Sequence, residues 1–134
     1  MYQLYYYPGN ASMAPHFILE ELGVEFKLIL VDRESEAQKS TEYLALNPAG
    51  RIPTLVDGDL VLFESPAICL YLAEQNPKLN LIPEAGTKER ALFYQWMMYL
   101  TNTLQAELMV YFYPDKHTSD ENGAPSIAVA QEAR

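Results

Sequence analysis

One cysteine, one tryptophan and two histidines are all that the 134 residues hold of these three types. The lone Cys69 cannot close an internal disulfide, so the fold does not depend on cross-links and suits a reducing compartment. It also rules out a cysteine-rich zinc site. His16 and His117, isolated in the sequence, make a poor metal cluster, and no metal is expected. Positive charge is scarce too: nine Lys and Arg face eighteen Asp and Glu, a net charge of −9. That balance repels a phosphate backbone, and no aromatic-plus-basic face interrupts it, so no nucleic-acid partner is expected. No apolar run approaches the ~18 residues of a membrane span. The opening Met1 to Tyr7 lacks the basic start and small-residue cleavage site of a secretory signal and reads as a strand. The expected location is the cytoplasm.

What is present is apolar mass. At 49 % hydrophobic residues the chain can pack a core, and wholesale disorder is excluded. The length suits one domain, or one small domain plus part of another.

The order of elements follows from period and punctuation. Tyr2 to Tyr7 is a short aromatic run ended by Pro8-Gly9, as for a strand buried on both faces. A helical pattern runs from Met13 to Leu22, with Pro15 in its first turn and Gly23 suited to the left-handed cap beyond its end. Phe26, Leu28 and Leu30 form a second strand. A polar stretch, residues 32–41, leads to a short helix around Tyr43 to Leu46. Asn47-Pro48-Ala49-Gly50-Arg51-Ile52-Pro53 is a constrained loop, two prolines bracketing a glycine. Thr54-Leu55-Val56 and Leu60 to Phe63 flank Asp57-Gly58-Asp59, a strong hairpin signal. Ser65 reads as the N-cap, and Pro66 as the first residue, of a helix ending at Gln75. The order is β-α-β-α-β-β-α, with the first two strands parallel and the last two a hairpin.

Residues 77–86, with Pro77, Pro83 and Gly86, read as a linker. Thr87 to Tyr113 would make one helix of about 40 Å. Leu100, Leu104 and Leu108 recur along it at four-residue spacing, beside Phe93, Trp96, Met97 and Met109. So broad an apolar surface needs partners on more than one side. Asp115 to Pro125 reads as a polar loop, and Ile127 to Arg134 as the start of a further helix. The expected organisation is an α/β domain over 1–80 and the beginning of an all-helical domain over 87–134, incomplete in this chain.

Three places carry chemistry. A proline opening a strand after a constrained loop suits a cis bond, rare and usually purposeful. A cis Ile52–Pro53 bond would turn the Ile52 amide and carbonyl outward, where a peptide ligand can dock on the backbone; the same proline also suits an ordinary edge strand. At Glu64-Ser65-Pro66, free helix amides and a hydroxyl bind a carboxylate while Glu64 pairs with an ammonium. Together they match an α-amino acid head group, although a plain helix cap has the same residues. Between the first strand and first helix, a ligand thiolate would meet the positive end of that helix and a hydroxyl from Ser12 or Tyr6. Lowering a thiol pKa from about 8.5 to about 6.5 takes roughly 2.7 kcal/mol. One charge-assisted hydrogen bond and a dipole can supply it. Ser12 as N-cap and Tyr6 as core aromatic are the plainer alternatives. Cys69, among Ile68, Leu70 and Leu72, reads as a packing thiol, and His16 as a helix residue with no catalytic task.

These stretches, Tyr6 to His16, Asn47 to Leu55 and Glu64 to Ile68, resemble bacterial glutathione S-transferases at matching spacings. The resemblance implies a thioredoxin-like N-terminal domain followed by an all-helical one, normally in a cytosolic homodimer. It implies that Ile52, before Pro53, hydrogen-bonds the cysteinyl backbone of glutathione. Glu64 and Ser65 then hold the γ-glutamyl end, and Arg51 or Lys39 faces the glycine carboxylate. Ser12 matches the catalytic serine of the serine-type classes, Tyr6 falls near the catalytic tyrosine of the tyrosine-type classes, and Asn10 adds a further donor. Ser12 is preferred for its place at the helix start. The chain departs from the bacterial beta class, which has a cysteine where Ala11 stands.

The activity implied is conjugation of the glutathione thiolate to an electrophilic small molecule, with glutathione as cosubstrate. Two rivals share the scaffold: a glutathione-dependent disulfide reductase and a non-catalytic interaction module. A Cys-x-x-Cys oxidoreductase is disfavoured, because the loop after the first strand has no such pair.

Overall fold

In the computed structural model, residues 1–117 are described. The chain divides into two compact units, Met1–Pro83 and Glu84–Arg134. The first carries β1 (Tyr2–Tyr6), α1 (Met13–Leu22), β2 (Phe26–Leu30), α2 (Thr41–Leu46), β3 (Thr54–Asp57), β4 (Leu60–Phe63) and α3 (Ser65–Gln75). The strands form one sheet in the order β2-β1-β3-β4. β1 runs parallel to β2, with Leu4 beside Leu28, and antiparallel to β3, with Leu4 beside Leu55. β3 and β4 close the sheet as an antiparallel hairpin.

The hairpin turn is tighter than its sequence implies. Asp57 pairs with Leu60, leaving Gly58-Asp59 as a two-residue connection. Gly58 takes the positive φ, 61°, that the first central position of such a turn requires.

α1 packs against α3. Between the helices and the sheet lie Leu4, Leu19, Leu55, Ile68 and Leu72, each at most 1 % exposed. Removing an aliphatic side chain of this kind from water stabilises by about 1.5–3 kcal/mol. Because the centre is wholly aliphatic, the aromatic rings of Tyr2, Tyr6, Phe26 and Tyr71 pack around it rather than within it. α1 stops where expected: Gly23 adopts φ 60° and donates its N–H to the Glu20 carbonyl.

α3 starts one residue earlier than expected. Ser65 is its first helical residue, and Glu64, at φ 74° and ψ 111°, occupies the cap position. The reason is a long-range bond: Ser65 Oγ donates to the Ala11 carbonyl at 2.7 Å, so the hydroxyl does not cap its own helix. Ser12 likewise stands at the cap position of α1, but its side chain makes no capping bond.

In the second unit the long helical run exists, but it is not one uniform helix. α4 (Lys88–Met98) passes into a π-helical segment, Tyr99–Gln105, and then into α5 (Ala106–Phe112). Its start is capped: Thr87 Oγ1 accepts from the Arg90 N–H at 3.2 Å. Leu100, Leu104 and Leu108 are exposed. A 3-10 turn over Pro114–Lys116 begins the stretch read as a loop. The further helix expected over 127–134 lies outside the described residues. No described helix is long and apolar enough to cross a membrane.

Candidate functional site

The site grows from three loops at one end of the sheet. The β1–α1 loop comes first. Asn10 Oδ1 accepts from both the Ser12 N–H, at 2.8 Å, and Ser12 Oγ, at 2.7 Å. Ser12 Oγ also lies 3.0 Å from the Tyr7 carbonyl and accepts from the Tyr7 N–H at 3.2 Å. The serine is 1 % exposed. With one proton and two acceptors, the hydroxyl is held by its own loop. Asn10 therefore orients Ser12 through its oxygen. Tyr6 is half-buried, beside Leu30 of β2 in the sheet, its ring tilted 57° against His16. His16 in turn sits among Phe17 and Phe26 and pairs with Glu20 at 3.3 Å.

The α3 start comes second. The Ser65–Ala11 hydrogen bond spans 54 positions of sequence and brings Glu64-Ser65 against the loop that holds Ser12. Glu64 is exposed at this edge.

The α2–β3 loop comes third. The Ile52–Pro53 bond is cis. The β1–β3 register begins at Thr54, and no described residue hydrogen-bonds the Ile52 backbone. That peptide edge is open. The preceding carbonyl is the opposite case: Arg51 O accepts from Tyr43 Oη and from Asn47 Nδ2, each at 2.7 Å. Burial pushes the Tyr43 phenol above its ordinary pKa, outweighing the hydrogen bonds from Thr54 and Asn47 that act the other way. It stays protonated and able to donate. The Arg51 side chain is exposed, and Lys39 is exposed and paired with Glu36.

One group here has no sequence signal. Gln38 Oε1 is buried with no hydrogen-bond partner among the described residues. The Gln38 main chain faces Gly50, at φ 60°, where an added Cβ would lie a tight 3.2 Å from the Gln38 carbonyl. A buried acceptor of this kind is costly unless something donates to it. Cys69 is no part of the site: burial raises its pKa to about 11, and it remains a thiol. No described cluster of three His, Cys, Asp or Glu is placed to hold a metal.

An open backbone edge, an acid at a helix start and a buried hydroxyl, all at one end of a four-stranded mixed sheet, form a frame found elsewhere. Residues 1–74 match the family model "Glutathione S-transferase, N-terminal domain". The chain belongs to the glutathione S-transferase family. It is 33 % identical over 115 residues to glutathione S-transferase GstA of Escherichia coli O157:H7, covering 84 % of this chain and 57 % of that protein. A glutathione transferase homolog from sulfitobacter, solved with bound glutathione, superposes with a TM-score of 0.88 at 28 % identity, covering 98 % of this chain and 63 % of that one. The transferase URE2P8 from Phanerochaete chrysosporium, solved with oxidised glutathione, gives 0.79 at 27 %, covering 98 % and 61 %. The chain thus spans little more than half the length of the GstA relative.

The matched segment contains every candidate catalytic or glutathione-binding residue named from the sequence, and its thioredoxin-like sheet is the glutathione S-transferase N-terminal fold. The sequence reading missed Gln38, Tyr43, Asn47 and Thr54. Tyr43 and Asn47 stand four apart, so they share a face at the end of α2. That spacing was the available signal.

Proposed function

We propose that this glutathione S-transferase family member binds glutathione with its first unit and transfers the thiolate to an electrophilic small molecule. The observation that carries the reading is the open Ile52 peptide edge, beside the α3 start that Ser65 ties to the β1–α1 loop. Extended peptides dock on such edges by main-chain hydrogen bonds. The cysteinyl backbone of glutathione would pair with Ile52, next to Pro53. Glu64 and Ser65, at the positive end of α3, would take the α-amino and α-carboxylate groups of the γ-glutamyl end. Arg51, or Lys39 after parting from Glu36, would face the glycine carboxylate, and Gln38 Oε1 offers an acceptor to a ligand N–H.

In this reading Ser12 stabilises the thiolate. Its proton would rotate from Asn10 Oδ1 toward the sulfur, a movement of one hydroxyl with the backbone unchanged. Tyr6 is the alternative donor. Rate enhancement would come from positioning and from a higher thiolate fraction at neutral pH. The active form would be a cytoplasmic homodimer, with no metal.

The test is retention of the chain on immobilised glutathione, followed by conjugation assays on Ser12→Ala and Tyr6→Phe. Failure to retain the wild-type chain would sink the binding claim. Full activity in Ser12→Ala would move the catalytic role elsewhere. A second reading, glutathione-dependent disulfide reduction, draws on the relative solved with oxidised glutathione. It predicts turnover of a glutathione mixed disulfide without an electrophile.

A further inference from the structure

The Arg51–Ile52 peptide has two edges with opposite fates. Its carbonyl is held inside the protein by Tyr43 Oη and Asn47 Nδ2, each at 2.7 Å. Its N–H belongs to Ile52 and is open. In a trans peptide these groups lie in one plane and point in opposite directions. Whatever holds the carbonyl therefore aims the N–H.

The groups that hold it form a closed circuit. Tyr43 Oη is 2.9 Å from Thr54 Oγ1, and Asn47 Nδ2 donates to Thr54 Oγ1 at 3.2 Å. Asn47 Oδ1 accepts from the Ala49 N–H at 3.1 Å, which fixes which end of the amide is the donor. Only one assignment of protons then satisfies every group. Asn47 gives one proton to Arg51 O and the other to Thr54. Thr54 gives its proton to Tyr43, and Tyr43 gives its proton to Arg51 O. The three side chains are 4 %, 1 % and 0 % exposed for Tyr43, Asn47 and Thr54, so water does not compete. A carbonyl that accepts two such bonds also polarises its own peptide, making the N–H on the far edge a better donor.

We propose that Tyr43, Asn47 and Thr54 are positioning residues that clamp the Arg51 carbonyl and so present the Ile52 N–H to the peptide backbone of the ligand. This rests on the reading that the first unit binds glutathione. None of the three touches the ligand; each acts through the peptide plane.

The experiment is calorimetric titration of the 134-residue chain with reduced glutathione, well below its melting midpoint, beside the amide resonance of Ile52 in the free protein. Tyr43→Phe keeps the ring and removes one donor. It raises the Kd roughly 3- to 10-fold, the range expected for one lost hydrogen bond, and moves the Ile52 amide. Thr54→Val does the same, whereas Thr54→Ser restores wild-type binding. A clamp that merely stabilised the fold would lower the melting midpoint and leave the Kd of the folded variant alone. An unchanged Kd and an unmoved Ile52 amide in a folded Tyr43→Phe chain overturn the proposal. If that variant does not fold, equal Kd values for Thr54→Val and Thr54→Ser overturn it. A wild-type chain that does not bind glutathione overturns the parent reading, and this one with it.

Discussion

Tyr71 Oη donates a 2.8 Å hydrogen bond to Asp57 Oδ2, tying α3 to the end of β3 next to the hairpin turn. The carboxylate holds the phenol proton and raises the Tyr71 pKa to about 12. A half-buried bond to a charged acceptor is worth about 1 kcal/mol net. Tyr71→Phe should lower the melting midpoint of a unit this size by roughly 4–8 °C. Asp57→Asn should do less, because an amide oxygen still accepts. A thermal melt of both variants checks the order.

Cys69 gives a pH dependence. Burial moves its pKa from the ordinary 9.0 to about 11, so the unfolded chain ionises first as pH rises. The contribution is fully present below pH 9.0 and is lost as pH climbs through about 11. Its full size is at most about 2.7 kcal/mol for two pK units. Urea denaturation across that window should show falling stability, with a shallower fall in Cys69→Val. Native alkylation should be slow at neutral pH and fast once the chain is unfolded.

Ser12→Ala should affect two properties at once. It strands the Tyr7 N–H, which now donates to the Ser12 hydroxyl at 3.2 Å, and a buried orphan costs about 1–3 kcal/mol. If Ser12 also lowers the thiol pKa of glutathione, conjugation near neutral pH should fall roughly 10- to 100-fold. The deficit should shrink as pH approaches the free thiol's value of about 8.5, where the thiolate forms unaided. A pH–rate profile separates this from a stability loss, which would not shrink with pH.

Gly50 and Gly23 share φ 60°, but only Gly50 has a neighbour: an added Cβ would lie 3.2 Å from the Gln38 carbonyl and 3.4 Å from Leu44 Cδ2. Alanine at either position bears the left-handed cost of about 1–2 kcal/mol. Gly50→Ala should lose more, because a backbone oxygen cannot yield as a side chain can. It should also weaken retention on glutathione, since the same loop carries Arg51 and Ile52. Equal losses at the two sites would show that the contact is inconsequential.

The elements were legible wherever their cause is local. Alternation, the Gly23 stop and the Asp57-Gly58 turn depend on neighbours a few residues away, and β1, α1 and the hairpin follow from them. The cis bond at Pro53 is one of two readings that the constrained loop left open, the other being an ordinary edge-strand proline. Ser65 was misplaced by one position because its hydroxyl answers to Ala11, 54 residues distant. The π segment left no mark, since a change in hydrogen-bond register inside one continuous helical run leaves no signature in residue type. The Arg51 clamp was illegible for another reason. A sequence displays side chains, and what Tyr43 and Asn47 hold is main chain.

Glu64 adopts φ 74° and ψ 111°, a region that side-chain-bearing residues seldom occupy, at a cost of order 1–3 kcal/mol. Glycine would rest there with less penalty, and Glu64→Gly should melt higher while losing a carboxylate for the ligand's ammonium. Randomise position 64 and select twice from the same library. Selection for folding alone should enrich glycine, and selection for capture on glutathione should return the acid. The two populations would part company at this codon, and the gap between them would measure what recognition demands of the backbone.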